Sequence, residues 1–316
     1  MTLGRWLSNY RGIPEYAVVG LKEPQEDIRV ELHGLGKPQD LTFNHSMVAM
    51  RPFTISIGSP GDQDLAEVRS ARLSLEFVDA REKQETIGRI FLQFAGAIEL
   101  PDLRLNLFNA KGHWNGCLPW TALQLYYIRR AYLSRRSRNP FNFRMSLHDL
   151  YSLYVFYICP RPVVLVSVVD GPRSNIFPMD LVGTVSDKYF LMALRSTSPA
   201  VELMEHSRQM VLSSIPVSWK DIAYQLGKHH RKESIDLGAL PFETTRSLAF
   251  GLPMPKTALA LREVRVEETH LVGSHMLFVT TTAHRETFSG APRMFHIHGT
   301  YDQYLRLQGR GQLPRD

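Results

Sequence analysis

The sequence predicts a mainly β protein with a few helices, divided into an N-terminal β-rich domain over residues 1–145 and a second β-dominated domain over residues 146–316. Three observations carry this reading. Short runs of alternating or β-branched residues recur along the chain, punctuated by Gly, Pro, Asp and Asn. Helical periodicity is confined to a handful of segments that never alternate strictly with strands, which excludes a doubly wound α/β sheet. The length, 316 residues, exceeds the usual reach of one hydrophobic core, so two domains are expected.

In chain order, AVVGL (17–21), DIRVELHGL (27–35), FTISIGS (53–59), RSARLSLEFVD (69–79), TIGRIFLQFAG (86–96) and LRLNLFN (103–109) read as strands. RLSLEF alternates polar with apolar residues, which predicts one wet face. Strands of this length and spacing fit an antiparallel sandwich or a small sheet domain. LPWTALQLYYIRRAYLSRRSR (118–138) then has helical spacing, with Leu125, Ile128 and Tyr132 on one face. Arg129, Arg130, Arg135, Arg136 and Arg138 crowd toward its end. A solvated last turn that complements the helix dipole is the plain reading, and a basic surface that touches membrane or nucleic acid is the other. NPFN (139–142) ends this element and puts the domain boundary near residues 139–150. No internal repeat or low-complexity segment is visible.

In the second half, SLHDLYSLYVFY (146–157) reads as a short amphipathic helix. VVLVSVV (163–169), YFLMAL (189–194), QMVLSSIP (209–216), ALALREVRVEET (258–269), HMLFVTTTAHRE (275–286) and RMFHIHGTY (293–301) read as strands. PAVELMEHS (199–207) and SWKDIAYQLG (218–227) have helical spacing. IFPMDLVGTVSD (176–187) cannot be a regular central strand, because Pro178 and Gly183 interrupt its ladder. Its free backbone groups suit a planar heteroaromatic ligand. Arg195 is followed by Ser196, Thr197, Ser198 and then Pro199, with Ser198 placed to cap the next helix. A guanidinium, hydroxyls and a helix N-terminus together suit a phosphate, although a capped helix beside one exposed arginine fits the same letters.

A net charge of +6 and a pI of about 9.3 favour anionic partners without naming one. The two cysteines, Cys117 and Cys159, cannot build a disulfide framework, so a reducing, cytoplasmic setting is expected. The first residues lack the apolar core of a signal peptide, and no run reaches the roughly 20 apolar residues of a membrane span. GKHHRKE (227–233) reads as a basic loop rather than a metal site. His296 and His298 alternate on a strand and share a face, without a third ligand in reach, so no metal is expected.

Over about residues 150–300, most clearly from Pro160 to His284, the chain resembles the flavin reductase-like family, whose fold is the FMN-binding split β-barrel. The resemblance rests on PRPVVLVSVVDGPRSNIFP, LRSTSPAVELMEHS, QMVLSSIP, SLAFGLPMPKTALALREVRVEE and VGSHMLFVTTTAHRE in that order. It implies FMN (or FAD) as cofactor and NADH or NADPH as hydride donor. Electrons pass in such proteins to free flavin for a partner monooxygenase or to another acceptor. The resemblance also implies a homodimer with the flavin near the subunit interface. By the same likeness Asn175, Ile176, Phe177, Pro178, Met179 and Asp180 lie along the flavin ring and ribityl chain, and Arg195, Ser196, Thr197 and Ser198 hold the phosphate. Gly273-Ser274-His275 stands where a Gly-Asp-His motif is common, which makes His275 the catalytic candidate. Asp180 and Leu181 depart from the pattern, since relatives commonly carry Ser with Trp or another polar-aromatic pair. An ionised Asp180 disfavours the anionic reduced flavin. A flavoprotein electron carrier fed by a partner protein, and a non-enzymatic binding protein built on the barrel, are the competing readings. Neither nucleic acid nor a membrane span is expected. The N-terminal half resembles no family.

Overall fold

The computed structural model describes residues 12–22, 27–61, 65–81, 84–136 and 144–310; the NPFN segment and Arg138 lie outside them. The chain opens with β1 (Tyr16–Leu21) and then enters the first of two seven-stranded antiparallel sheets. That sheet holds β2 (Ile28–His33), β3 (Gln39–Asp40), β4 (His45–Met50), β5 (Phe53–Ser59), β6 (Ser74–Asp79), β7 (Glu85–Glu99) and β8 (Arg104–Asn115). Helix α1 (Leu65–Ser70) lies between β5 and β6. Helices α2 (Trp120–Arg136) and α3 (Leu147–Phe156) and the short β9 (Arg161–Pro162) lead into the second sheet. It holds β10 (Val164–Asp170), β11 (Arg173–Met179), β12 (Val182–Thr184), β13 (Tyr189–Arg195), β14 (Gln209–Ser214), β17 (Ala260–Val272) and β18 (His275–Thr287). Helix α4 (Ala200–Ser207) follows β13; α5 (Lys220–Leu226) and a β15 (Thr244–Arg246) to β16 (Pro253–Pro255) pair fill the segment between β14 and β17. Strand β19 (Arg293–His298) pairs with both β1 and β9, and α6 (Gly299–Leu307) ends the fold.

Both large sheets curl into split barrels. In the second, the edge strands β11 and β12 are joined only by Asp180 and Leu181. That link spans about 11 Å, whereas seven strands laid flat are about 29 Å across. The sheet must therefore wrap until its two edges meet. In the first, the edges β3 and β4 are joined by residues 41–44, with the same consequence. Pro178 and Gly183 both fall on edge strands, where a broken ladder is tolerated.

The two barrels share one topology. Numbering the strands of each from one to seven in chain order, both have the spatial order 2-1-5-6-7-4-3, and in both a helix follows the fourth strand. The repeat that the letters do not show is present in the connectivity. The N-terminal strands, whose spacing fits a sandwich, form this single curled sheet instead. Topology conserves a fold by strand order and burial pattern, which many sequences satisfy.

Each barrel has its own core. Val166, Phe177, Met192, Val264 and Phe278 fill the C-terminal barrel, and Val201 and Leu203 of α4 close one end. Phe53, Ile55, Phe77 and Phe108 fill the N-terminal barrel together with Leu153, Val155 and Phe156 of α3. Thus α3 lies C-terminal to the expected boundary in sequence yet packs into the N-terminal barrel, while β1 pairs with the C-terminal β19. The barrels meet through Val48, Leu103, Leu105, Val185, Leu191 and Leu277. Two glycines allow this approach. A Cβ on Gly58 would lie 2.3 Å from the Val185 carbonyl oxygen, and one on Gly273, whose φ is +52°, 2.5 Å from that of Arg51.

Two local expectations change. Strand β6 is buried on both faces, because Glu76 pairs with Arg89 at 2.8 Å and accepts from Thr86 Oγ1 at 2.9 Å. In α2 the stripe Leu125, Ile128 and Tyr132 faces solvent, while Ala122, Leu123, Tyr126 and Tyr127 face the protein. The tyrosines decide this: Tyr127 stacks on Tyr151 of α3 with centroids 3.9 Å apart.

Candidate functional site

Where the C-terminal barrel splits, a cavity of about 510 Å³ opens. Pro178, Met179, Asp180 and Leu181 from the split, Arg195, Thr197 and Ser198 from the turn into α4, and His275 at the start of β18 line it. Gly227, His230 and Arg231 reach it from the segment between β14 and β17, and Met50 comes from the N-terminal barrel. The volume lies within the roughly 300–1,000 Å³ of small-ligand sites.

The turn after β13 is held from several sides. The Ser196 amide donates to the Ser274 carbonyl at 3.1 Å and the Ser198 amide to the Arg195 carbonyl at 2.9 Å. The Ser198 hydroxyl donates to the His230 carbonyl at 2.6 Å, and Pro199 occupies the cap position expected for Ser198. Burial, followed by the neighbouring Arg231 charge, lowers the Arg195 guanidinium from its ordinary pKa. Two cations held close enough to oppose each other's charge favour an anion between them.

His275 is buried and its position is fixed by both barrels. The Arg51 amide donates to Ser274 Oγ at 3.1 Å, and Ser274 Oγ lies 2.9 Å from His275 Nδ1. This contact ties the orientation of the ring to the Ser274 hydroxyl and, through it, to the Arg51 backbone of the N-terminal barrel. Burial and then Arg195 push the His275 pKa down to about 4, which keeps the ring neutral at pH 7.

Asp180 sits at the split. Its Oδ2 accepts from Tyr157 Oη at 2.9 Å and from His296 Nδ1 at 2.8 Å. Burial pushes this carboxyl up, but the His296 and Tyr157 contacts outweigh it and leave the pKa below the ordinary value. His296 also stacks on the half-exposed Tyr224, 6.1 Å between centroids, so the chain of polar groups runs from the cavity to the surface. His298, the other histidine of the pair, turns to Thr300 and Tyr126, and among the described residues no group of His, Cys, Asp and Glu could hold a metal.

The residues expected from the sequence thus divide. Pro178, Met179, Asp180, Arg195, Thr197, Ser198 and His275 come together on the cavity. Ser196 lies behind it on Ser274, and Asn175, Ile176 and Phe177 are buried away from it. Asn175 instead donates to the carbonyls of His229 and Lys232 at 3.1 and 2.9 Å, which ties down the loop that carries His230 and Arg231. Sequence reasoning did not assign His230, Arg231, Gly227 or Met50 to the site. The first three lie in the GKHHRKE loop, whose density of positive charge was the available signal; Met50 had none.

A flavin phosphate fits this donor set, and a planar ring fits the interrupted wall. A further feature fits a ligand hydroxyl or ring N–H. His230 Nε2 donates to the Pro178 carbonyl at 2.7 Å, which leaves Nδ1 an acceptor with no partner among the described residues.

Residues 156–304 match the family described as flavin reductase like domain. No curated protein matches the chain. Similar solved structures include an FMN-binding protein from Thermus thermophilus, 23% identical over 48% of this chain and 80% of that one with a TM-score of 0.39. The NADH:FAD oxidoreductase SgcE6 of Streptomyces globisporus C-1027 is 15% identical over 56% and 98%, with a TM-score of 0.44. The styrene monooxygenase flavin reductase of Pseudomonas putida S12 is 17% identical over 47% and 93%, with a TM-score of 0.39. The family match lies in the C-terminal half, and the N-terminal half has no family assignment.

Proposed function

From a flavin reductase like domain whose cavity gathers two guanidinium groups, hydroxyls and a neutral histidine, we propose that the protein is a flavin-dependent oxidoreductase that uses NADH or NADPH. The observation that carries this reading is the convergence of Arg195 and Arg231 with Thr197 and Ser198 on a cavity also walled by Pro178 to Leu181. Held by Arg195, Arg231, Thr197 and Ser198, FMN would supply the hydride-accepting redox chemistry, with free flavin or a partner oxygenase as the acceptor of its electrons. FAD presents the same proximal phosphate to the same groups.

Arg195 and Arg231 bind and orient the phosphate. His275, held neutral by burial and by Arg195, acts as a neutral hydrogen-bonding group toward the nicotinamide or the ring edge rather than as an acid. Asp180, His296 and Tyr224 form the route by which a proton moves between the cavity and water. An ionised Asp180 opposes a second negative charge beside it, so reduction is coupled to proton uptake.

The reading also assigns one flavin to each chain. From the last residue of β13 the chain reads Arg-Ser-Thr-Ser-Pro, whereas from the last residue of β5 it reads Ser-Pro-Gly-Asp-Gln (59–63), with no cation. The segment that brings His230 and Arg231 to the cavity has as its counterpart only residues 80–84 between β6 and β7. Met50 and Arg51 of the N-terminal barrel contribute to the site from within the same chain, which supports a site that one chain completes. We therefore propose a monomer.

The test is the visible spectrum of the purified protein, repeated with FMN and then with NADH or NADPH without oxygen. Bleaching of protein-bound flavin by the nucleotide supports the reading. Bound flavin that bleaches only with a protein donor indicates a carrier, and the absence of binding with excess FMN removes the reading altogether.

A further inference from the structure

The second end of the C-terminal barrel carries features that the flavin reading does not use. At the end opposite α4 a separate cavity of about 460 Å³ opens, sharing no lining residue with the first. Its inner wall is apolar and belongs to the barrel core: Val164, Val182, Phe190 and Leu212. Its rim carries Lys22, Arg161, Arg262, Arg285 and Arg293, against the single acidic side chain of Asp187.

The rim charges are arranged as if around an anion. Arg262 and Arg285 stand directly opposite each other on β17 and β18. Like charges at facing positions of an antiparallel pair repel, and no structural need of the ladder places them there. Arg262 lies over the Phe190 ring at 4.4 Å and donates to Thr282 Oγ1 at 3.0 Å, which fixes its guanidinium at the cavity wall. Arg161 is 5% exposed and lies over the Phe156 ring at 3.8 Å. Its Nη2 donates to His45 Nε2 at 2.6 Å, while its Nε has no partner among the described residues and no carboxylate pairs with it there. His45 cannot neutralise it, because burial and then Arg161 itself hold that ring neutral, with a pKa of about 3. Asp180 attracts this guanidinium without pairing with it directly, so a ligand carboxylate would supply the direct partner that its Nε lacks.

The comparison with the other barrel sharpens the point. In the N-terminal barrel Phe156 of α3 and the residues after it are seated among Phe53 and Phe77, with ring centroids 5.7 and 6.3 Å apart. Among the described residues no helix is seated in the C-terminal barrel at this end. We propose that the mouth of the C-terminal barrel binds an amphipathic organic anion, with its carboxylate among Arg161, Arg262, Arg285 and Arg293 and its apolar body against Val164, Val182, Phe190 and Leu212. Mouths of β-barrels are recurrent ligand sites, and the arginine fork matches a carboxylate in geometry as well as charge.

The experiment is calorimetric titration of the full-length protein, as purified, with octanoate, 4-phenylbutyrate, 4-phenylbutanamide and inorganic phosphate. At least one carboxylate binds, at least tenfold tighter than the amide and than phosphate, and its affinity falls as salt rises. Arg262→Gln and Arg285→Gln each weaken it by about tenfold, the loss of one charge-assisted contact. Neither changes flavin content by absorbance, which separates this site from the first. Three outcomes overturn the proposal: no binding of either carboxylate at 10 mM, equal binding of acid and amide, or unchanged binding in the double variant. Phosphate binding as tightly as the carboxylates removes the role given to the apolar wall.

Discussion

Replacing Arg195 with alanine separates the phosphate role from every other contact, because FMN carries the phosphate and riboflavin does not. A hydrogen bond to a charged group contributes about 1.5–3 kcal/mol, so loss of the Arg195 contact weakens FMN about 10- to 150-fold. The structure places the expected value at the lower end. Arg231 also lines the cavity and lowers the Arg195 pKa, so removing Arg195 relieves a repulsion in the free protein as well as a contact in the bound one. Riboflavin affinity should change by less than threefold, within the few tenths of a kcal/mol of a remote substitution. Flavin fluorescence quenching on titration of the apoprotein measures both constants at fixed salt. A second readout comes from His275, whose pKa of about 4 is set first by burial and then by Arg195. Arg195→Ala moves that pKa upward, toward but not up to 6.5, which NMR titration of the ring detects. Equal losses for FMN and riboflavin, or a His275 pKa that stays at about 4, would refute the assignment.

Ser274→Ala removes the hydroxyl that accepts from the Arg51 amide and hydrogen-bonds His275 Nδ1, so it lowers the rate of nucleotide-driven flavin bleaching while flavin binding is retained; stopped-flow absorbance reads the difference. Gly58→Ala forces a Cβ against the Val185 carbonyl and lowers stability by about 1–3 kcal/mol in urea unfolding, whereas Gly61→Ala, with open space around it, does not. Acid destabilises the protein below pH 6.5. His45, His113 and His275 have folded pKa values lowered to about 3, about 4 and about 4, and burial lowers His230 and His298 as well, so the unfolded chain binds at least two protons that the folded one does not. Near pH 5 this amounts to about 3 kcal/mol lost per pH unit, with the His275 part levelling below pH 4; urea midpoints at pH 6 and pH 5 that coincide would contradict it. Sedimentation at micromolar concentration yields one 36.1 kDa chain carrying one flavin.

Much of the C-terminal barrel was legible because its strands are nearly continuous apolar runs bounded by turn residues, as VVLVSVV and YFLMAL show. The phosphate-side residues were legible for a related reason: Arg195 to Ser198 lie together in sequence, at a strand-to-helix turn. What escaped was assembled from distant segments. Met50 and Arg51 reach the site only because the two barrels pack face to face, and His230 and Arg231 only because Asn175 holds their loop. Asp180, read as a departure from a family pattern, acquires its partners from β19 and from the residue just past α3. Strands β3 and β4 left no clear signal, since QD is too short for a pattern and HSMVAM is buried without alternation.

Two barrels of one topology in one chain have a consequence for the form of the binding curve. A pair of identical subunits offers two equivalent pockets, whose occupancies can influence each other through the shared face. Here the second barrel lends a methionine and a backbone amide to its neighbour, and its own sequence after the fourth strand carries no cation to match Arg195. Cofactor saturation should follow a single hyperbola with a Hill coefficient of about one, and substitutions in the N-terminal barrel should move its midpoint without changing its shape.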